Sequence, residues 1–195
     1  MAFKLKPIKK RSDEDLVPLI ADGCTEAFNE FYGRYSQRLL LYFHRMLGDE
    51  NRAQDFLQDI SITLIHKSHT FRREGKFSTW IFTIASNMCK NEFRKTKRIS
   101  HQDHETLDQH VSTESGISEQ VEQNQLLEQI QHVLSQMTSD KKEAFLLRFQ
   151  EGLSLKEISE IVRCPVGTVK SRLFHTTREL SEKLSAYREK DGNTQ

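Results

Sequence analysis

The chain has 195 residues, 36% hydrophobic and 29% charged, which suits a soluble, helix-prone protein of one domain or two small ones. A net charge of +1 is too small to hold DNA by bulk electrostatics alone. No apolar run approaches the roughly 18 residues of a membrane span, and Cys24, Cys89 and Cys164 stand isolated; the pattern excludes membrane insertion, a disulfide framework and a zinc finger, and points to the cytoplasm.

The start, MAFKLKPIKKR (1–11), is basic and lacks an apolar segment, so it reads as a tail rather than a secretory signal. Residues 25 to 47 then place Phe28, Phe31, Tyr32, Tyr35, Leu39, Tyr42, Phe43 and Met46 at spacings of three and four, predicting a helix that Gly48 and Asp49 end. Residues 51 to 67 repeat the pattern with Ala53, Phe56, Leu57, Ile60 and Leu64. A charged loop, TFRREGK, leads to Ser78, a predicted N-cap flanked by Phe77 and Phe82. The third helix carries Trp80, Ile81, Ile84, Ala85 and Met88 and runs into the basic stretch KNEFRKTKR.

The stretch ISHQDHETLDQHVSTESGIS (99–118) has acids but no Lys or Arg and no apolar periodicity, and reads as a flexible linker. Beyond it, Leu127, Ile130, Leu134 and Met137 form a stripe. Thr138, Ser139 and Asp140 offer caps for a helix bearing Phe145, Leu146 and Phe149, and Gly152 suits its left-handed end. Ser154 and Glu157 form a capping box, predicting a short helix over 155–162 with Leu155, Ile158, Ile161 and Val162 inward. Pro165 and Gly167 are expected to set the angle of the turn that follows. No strand signal competes, so the fold class is all-α: two small helical domains joined by a flexible linker.

Along the last helix Val166, Val169, Leu173, Thr177, Leu180 and Leu184 share one side. Gly167, Lys170, Ser171, Phe174, His175 and Arg178 share another, mixing cationic, hydroxyl and aromatic groups. A solvated face explains the charges but not Phe174. A short capped helix, a turn and such a helix make a helix-turn-helix, whose second helix enters the major groove. Lys and Arg bond guanine O6 and N7, Ser donates or accepts, and Phe touches a thymine methyl.

The segment LRFQEGLSLKEISEIVRCPVGTVKSRLFHTTREL resembles region 4 of the bacterial extracytoplasmic-function (ECF) sigma factors. AQDFLQDISITLIHK resembles their region 2.2 helix, and FSTWIFTIASNMCKNEFRKTKR their regions 2.3 and 2.4. The resemblance runs from about 12 to 186 in family order. It implies a basic tail (1–11), a region 2-like domain (12–98), the linker (99–118), a region 4-like domain (119–186) and a C-terminal tail (187–195). It also implies a non-catalytic specificity subunit that binds core RNA polymerase, at the largest-subunit coiled coil and the flap region, and promoter DNA. An anti-sigma factor is a further implied partner; no cofactor is.

By the resemblance, Lys170, Ser171, Phe174 and His175 read the promoter −35 element, while Thr168, Arg172 and Arg178 contact backbone or support the fold. Phe71, Arg72, Arg73 and Lys76 in the loop, with Asn87, Lys90, Asn91 and Arg94 on the helix, engage and help melt the −10 element. Opened strands need a basic surface and aromatic faces for unstacked bases. Trp80 is such a platform or, as a lone helical Trp more often is, a core residue. Asp55, Gln58 and Asp59 share one polar face and are implied to dock on the polymerase coiled coil; spacing alone says only that they are solvated. The chain departs from the family pattern at Asn91, often Asp, at Thr138, often Pro, and at His175 and Thr176, often basic or small.

Two other readings compete. An autonomous helix-turn-helix regulator keeps the second half but leaves the first half's basic loop without a role. A metal-dependent enzyme would use His101, Asp103 and His104 with Cys89 or Cys164, although histidines in an acidic linker are usually solvated and no nucleophile accompanies them.

Overall fold

The computed structural model describes residues 7–100 and 128–191, which fall in two compact units, Met1–Gln102 and Asp103–Gln195. Among the described residues there is helix and no strand. Lys4, Lys6, Leu127, the linker from 101 with His101, Asp103 and His104, and residues 119–127 and 192–195 lie outside them.

In the first unit, helix α1 (Asp13–Ala21) begins at Ser12, whose hydroxyl accepts from the Asp15 N–H at 3.2 Å. Asp13, Glu14 and Asp15 place negative charge at the positive end of this helix. Sequence periodicity missed α1 because Pro18 interrupts its middle, yet the serine followed by three acids and then Leu16, Val17 and Ile20 was a legible start signal. Helix α2 (Thr25–Leu47) buries Ala27, Phe31, Tyr35, Leu39, Tyr42, Phe43 and Met46. Gly48, at φ 76°, ends it, and Asp49 at once starts α3 (Glu50–Lys67) by accepting from the Arg52 N–H at 2.9 Å. All five apolar residues expected on α3 are buried.

Helix α4 (Phe77–Ser100) starts two residues earlier than a Ser78 cap requires. The Lys76 carbonyl accepts from Trp80 N–H, and Glu14 of α1 takes the Phe77 N–H at 3.1 Å. The cap therefore comes from a distant carboxylate. The buried stripe becomes Phe77, Ile81, Phe82, Ala85 and Cys89, leaving Ile84 and Met88 half-buried.

An aromatic cluster fills this core. Tyr35 stacks on Phe31 at 5.3 Å and meets the Phe77 edge at 5.2 Å; Tyr42 meets Phe82 at 5.5 Å and Phe43 meets Phe56 at 5.4 Å. Such pairs contribute about 0.5–1.5 kcal/mol each beyond their burial. The Arg34 guanidinium donates to Asp13 at 2.6 Å, to Glu30 at 2.8 Å and to the Arg11 carbonyl at 3.0 Å, tying α1 and the chain before it to α2.

In the second unit, helix α5 (128–135) buries Val133 and Leu134, and Met137 follows. Thr138 takes the N-cap position of α6 (Ser139–Phe145), though its side chain makes no capping bond. The next turn, Leu146–Gln150, is wide, with Glu151 N–H bonded to the Leu146 carbonyl. In this wide turn Phe149 lies outside, 58% exposed. Gly152 is left-handed at φ 69°, as expected.

Helix α7 (Leu155–Val162) has both arms of its capping box: Glu157 N–H to Ser154 Oγ at 3.3 Å and Ser154 N–H to Glu157 Oε2 at 2.8 Å. The turn after it is built differently from the expectation. Arg163, at φ 56°, supplies the left-handed residue, and the Pro165 carbonyl accepts from Thr168 and Val169 N–H. Gly167 is an ordinary residue in the first turn of α8 (Val166–Asp191). Helix α8 continues beyond 186, as α4 continues beyond 98.

Candidate nucleic-acid and polymerase interfaces

Helix α8 buries Val169, Leu173, Thr176 and Leu180 against its unit. The buried threonine is Thr176, not Thr177, and Val166 is exposed. The Thr176 hydroxyl donates to the Arg172 carbonyl at 2.7 Å, so burial leaves it satisfied. This anchoring turns Gly167, Lys170, Ser171, Phe174, His175 and Arg178 to solvent together. Phe174 is 62% exposed and meets the His175 ring edge at 5.5 Å. A fixed aromatic pair beside a cation and a hydroxyl can recognise base edges and a methyl.

The remaining residues expected on this helix serve it differently. Thr168 is half-buried. Arg172 forms an ion pair with Asp140 and reaches Cys164 Sγ at 3.8 Å, tying α8 to α6 and to the turn. Arg178 is exposed but donates to Glu182 at 2.8 Å, which raises its pKa.

In the first unit, Arg72, Arg73 and Lys76 are exposed in the loop before α4. Arg73 pairs with Asp15 at 2.8 Å, so α1 braces this loop as Glu14 braces the helix behind it. Phe71 and Trp80 are half-buried with rings 5.7 Å apart, and Trp80 lies 5.7 Å from Phe77. Trp80 is thus not sealed in the core: it closes the aromatic cluster at the surface. On α4, Asn87 and Lys90 are half-buried, with Lys90 donating to Ser86 at 2.9 Å, while Asn91 and Arg94 are exposed. The expected loop and helix residues belong to the two segments that meet at Phe77.

On α3, Asp55, Gln58 and Asp59 are exposed together. Asp55 lies 3.5 Å from Arg52. The same face carries Ile62, 54% exposed, and Ile65, 49% exposed. The apolar pattern of this helix did not include these two; Ile62 at i+7 from Asp55 and i+4 from Gln58, and Ile65 at i+7 from Gln58, were the available signal. An apolar pair beside an acidic rim suits docking on another helix. Among the described residues no cluster of three metal-ligating side chains occurs, and Cys89 is buried within the first unit's core.

The sigma-70 region 2 family matches residues 31–99, and the sigma-70 region 4 family matches residues 127–180. The ECF RNA polymerase sigma-E factor of Haemophilus influenzae is 31% identical over 183 residues, covering 89% of this chain and 95% of that protein. The ECF sigma factor SigW of Bacillus subtilis is 30% identical over 185 residues, covering 91% and 96%. The chain belongs to the ECF sigma factors of the sigma-70 family. Among solved structures, RpoE of Bartonella quintana, crystallised with the anti-sigma factor NepR, superposes with a TM-score of 0.67 at 22% identity, covering 83% of this chain and 98% of that one. CnrH, in complex with the cytosolic domain of CnrY, gives 0.66 at 20% identity, covering 89% and 97%. At these identities the likeness establishes the shared sigma-factor fold alone. Within this ECF sigma factor, the region 2 match contains the α3 face and the basic loop, and the region 4 match contains the helix-turn-helix.

Proposed function

We propose that this sigma factor joins core RNA polymerase and directs promoter-specific initiation as a non-catalytic subunit in the cytoplasm. Lys170, Ser171, Phe174 and His175 read the −35 element from the major groove. Arg72, Arg73, Lys76, Asn91 and Arg94 hold the −10 region with Asn87 and Lys90, while Phe71 and Trp80 receive unstacked bases. Asp55, Gln58 and Asp59, with Ile62 and Ile65 beside them, dock on the polymerase coiled coil, and the second unit meets the flap region. Residues 12–98 and 119–186 form the two DNA modules, joined by 99–118. Helix α4 runs to Ser100, so the eighteen residues 101–118 span at most about 59–65 Å, against roughly 70 Å between promoter elements two helical turns apart. An anti-sigma factor is a proposed third partner, as NepR is for RpoE of Bartonella quintana.

The observation that carries this reading is the division of α8: four buried anchors hold a base-reading face wholly in solvent. The test pairs two variants. Lys170→Ala with Ser171→Ala should abolish run-off transcription from a cognate promoter while core polymerase is bound as before. Asp59→Ala should weaken polymerase binding first. Equal loss of polymerase binding in both would refute the division of labour.

A further inference from the structure

The described cations of the second unit fall into two groups. Lys141, Lys142, Arg148, Arg172, Arg178 and Lys183 are each engaged by an acid, a carbonyl or another group. Lys156, Arg163 and Lys170 are exposed and have no partner among the described residues. Lys170 belongs to the base-reading face and Lys156 to the first turn of α7. Arg163 stands in the turn between the two helices, where nothing in the proposed function yet gives it a task.

Its backbone is tightly held. Arg163 sits at φ 56° and ψ 49°, a left-handed conformation that is unfavourable for an L side chain and that glycine or asparagine adopts readily. Its N–H donates to the Ser159 carbonyl. Cys164 N–H donates to the same carbonyl at 3.2 Å, and Ser159 Oγ donates to the Cys164 carbonyl at 2.6 Å. A solvent-exposed, unpaired guanidinium is thus mounted on a fixed turn two residues before the Pro165 carbonyl that begins α8.

In a helix-turn-helix the second helix enters the groove by its N-terminal end while the first crosses the DNA backbone. The turn between them therefore passes the phosphates that wall the groove. A guanidinium, with five donors in a planar fork, matches a phosphate well. We propose that Arg163 grips a phosphate of the −35 element, a sequence-independent contact that fixes how α8 is seated. This rests on α8 being the −35 helix.

The test uses holoenzyme reconstituted with core polymerase, binding duplex promoters over a range of salt concentrations. Arg163→Asn and Arg163→Gly relieve the left-handed strain, so the free variants should melt at a higher temperature than wild type. They should nevertheless bind promoter about tenfold more weakly. The slope of log K against log salt should become shallower by about 0.9. The loss should be the same on promoters carrying single −35 substitutions. Arg163→Lys should keep the slope. An unchanged slope in the Asn variant, or a loss confined to particular −35 bases, overturns the contact. If Lys170→Ala with Ser171→Ala leaves promoter discrimination intact, the −35 assignment of α8 has failed and the Arg163 contact falls with it; if that control behaves while Arg163→Asn matches wild type, the phosphate contact alone is wrong.

Discussion

Arg52 of α3 holds the Glu92 carboxylate of α4 at 2.7 Å, joining the helix that bears Asp55, Gln58 and Asp59 to the helix that bears Lys90, Asn91 and Arg94. Glu92 is the one acid within KNEFRKTKR, and the pair neutralises it in place. The hydrogen bond to Glu92 raises the Arg52 pKa, and the guanidinium also lies 5.1 Å from the Phe56 ring centre. Arg52→Ala would leave a bare negative charge on the face proposed to hold DNA. Both partners are partly exposed, so the stability loss should not exceed about 1 kcal/mol. Promoter opening should slow markedly. Urea unfolding reads the first effect and 2-aminopurine fluorescence in the −10 region the second; unaltered opening would show that Glu92 does not face the DNA.

Tyr35 makes stability sensitive to alkali. Its hydroxyl is buried and donates to Asp13 at 2.5 Å. Burial first, and then the Asp13 hydrogen bond, push its pKa up. An unfolded tyrosine titrates near pH 10, so the folded state binds more protons above that value. The contribution is complete below about pH 10 and is lost as pH rises through the raised folded pKa. Tyr35→Phe should cost about 1.5 kcal/mol near neutrality, and the gap to wild type should shrink in strong alkali. Unfolding free energies measured at about pH 8 and about pH 11 check the sign; a gap that widens with pH would contradict it.

The interior position of Thr176 limits what that site accepts. Thr176→Val removes a hydroxyl whose acceptor carbonyl belongs to the helix backbone, and the change should stay within about 1 kcal/mol. Thr176→Lys buries an unpaired charge and should cost at least about 3 kcal/mol. Thermal unfolding of the two variants decides it, and a well-folded lysine variant would mean that α8 is rotated from the orientation described.

Ile62 and Ile65 are exposed, so truncating them removes little packing. Ile62→Ala with Ile65→Ala should leave the unfolding free energy within about 0.5 kcal/mol of wild type. Core-polymerase affinity should fall at least about tenfold, as when interface anchors are truncated. Fluorescence anisotropy with labelled sigma factor measures the affinity. If only stability changes, the two residues belong to the fold and not to the interface.

Elements specified by short-range chemistry were legible in the sequence. Ser154 and Glu157 fixed the start of α7, and Gly48 with Asp49 fixed the α2–α3 boundary, because each signal lies within four residues of what it determines. Elements determined across the fold were not. The start of α4 depends on Glu14, 63 residues away, and the stripe rotated accordingly. The wide turn at Leu146–Gln150, which inserts a residue into the helical period, had no local signal either. The turn glycine was misplaced because an arginine occupies the left-handed position that glycine usually takes. On α8, the four residues proposed to read bases lie on the exposed face that their spacing predicted. Ile62 and Ile65 escaped notice because an isoleucine on a helix carries the same local signal whether it packs inward or waits for a partner.

Run-off transcription tests the central claim most directly. The purified chain is added to core RNA polymerase on a library of promoter fragments, and transcript starts are mapped. The expected result is initiation at a defined subset of sites that share two sequence elements about two helical turns apart, absent with core alone and lost with Lys170→Ala and Ser171→Ala. Specific binding of the free chain to DNA, with no change in where core polymerase starts, would contradict it.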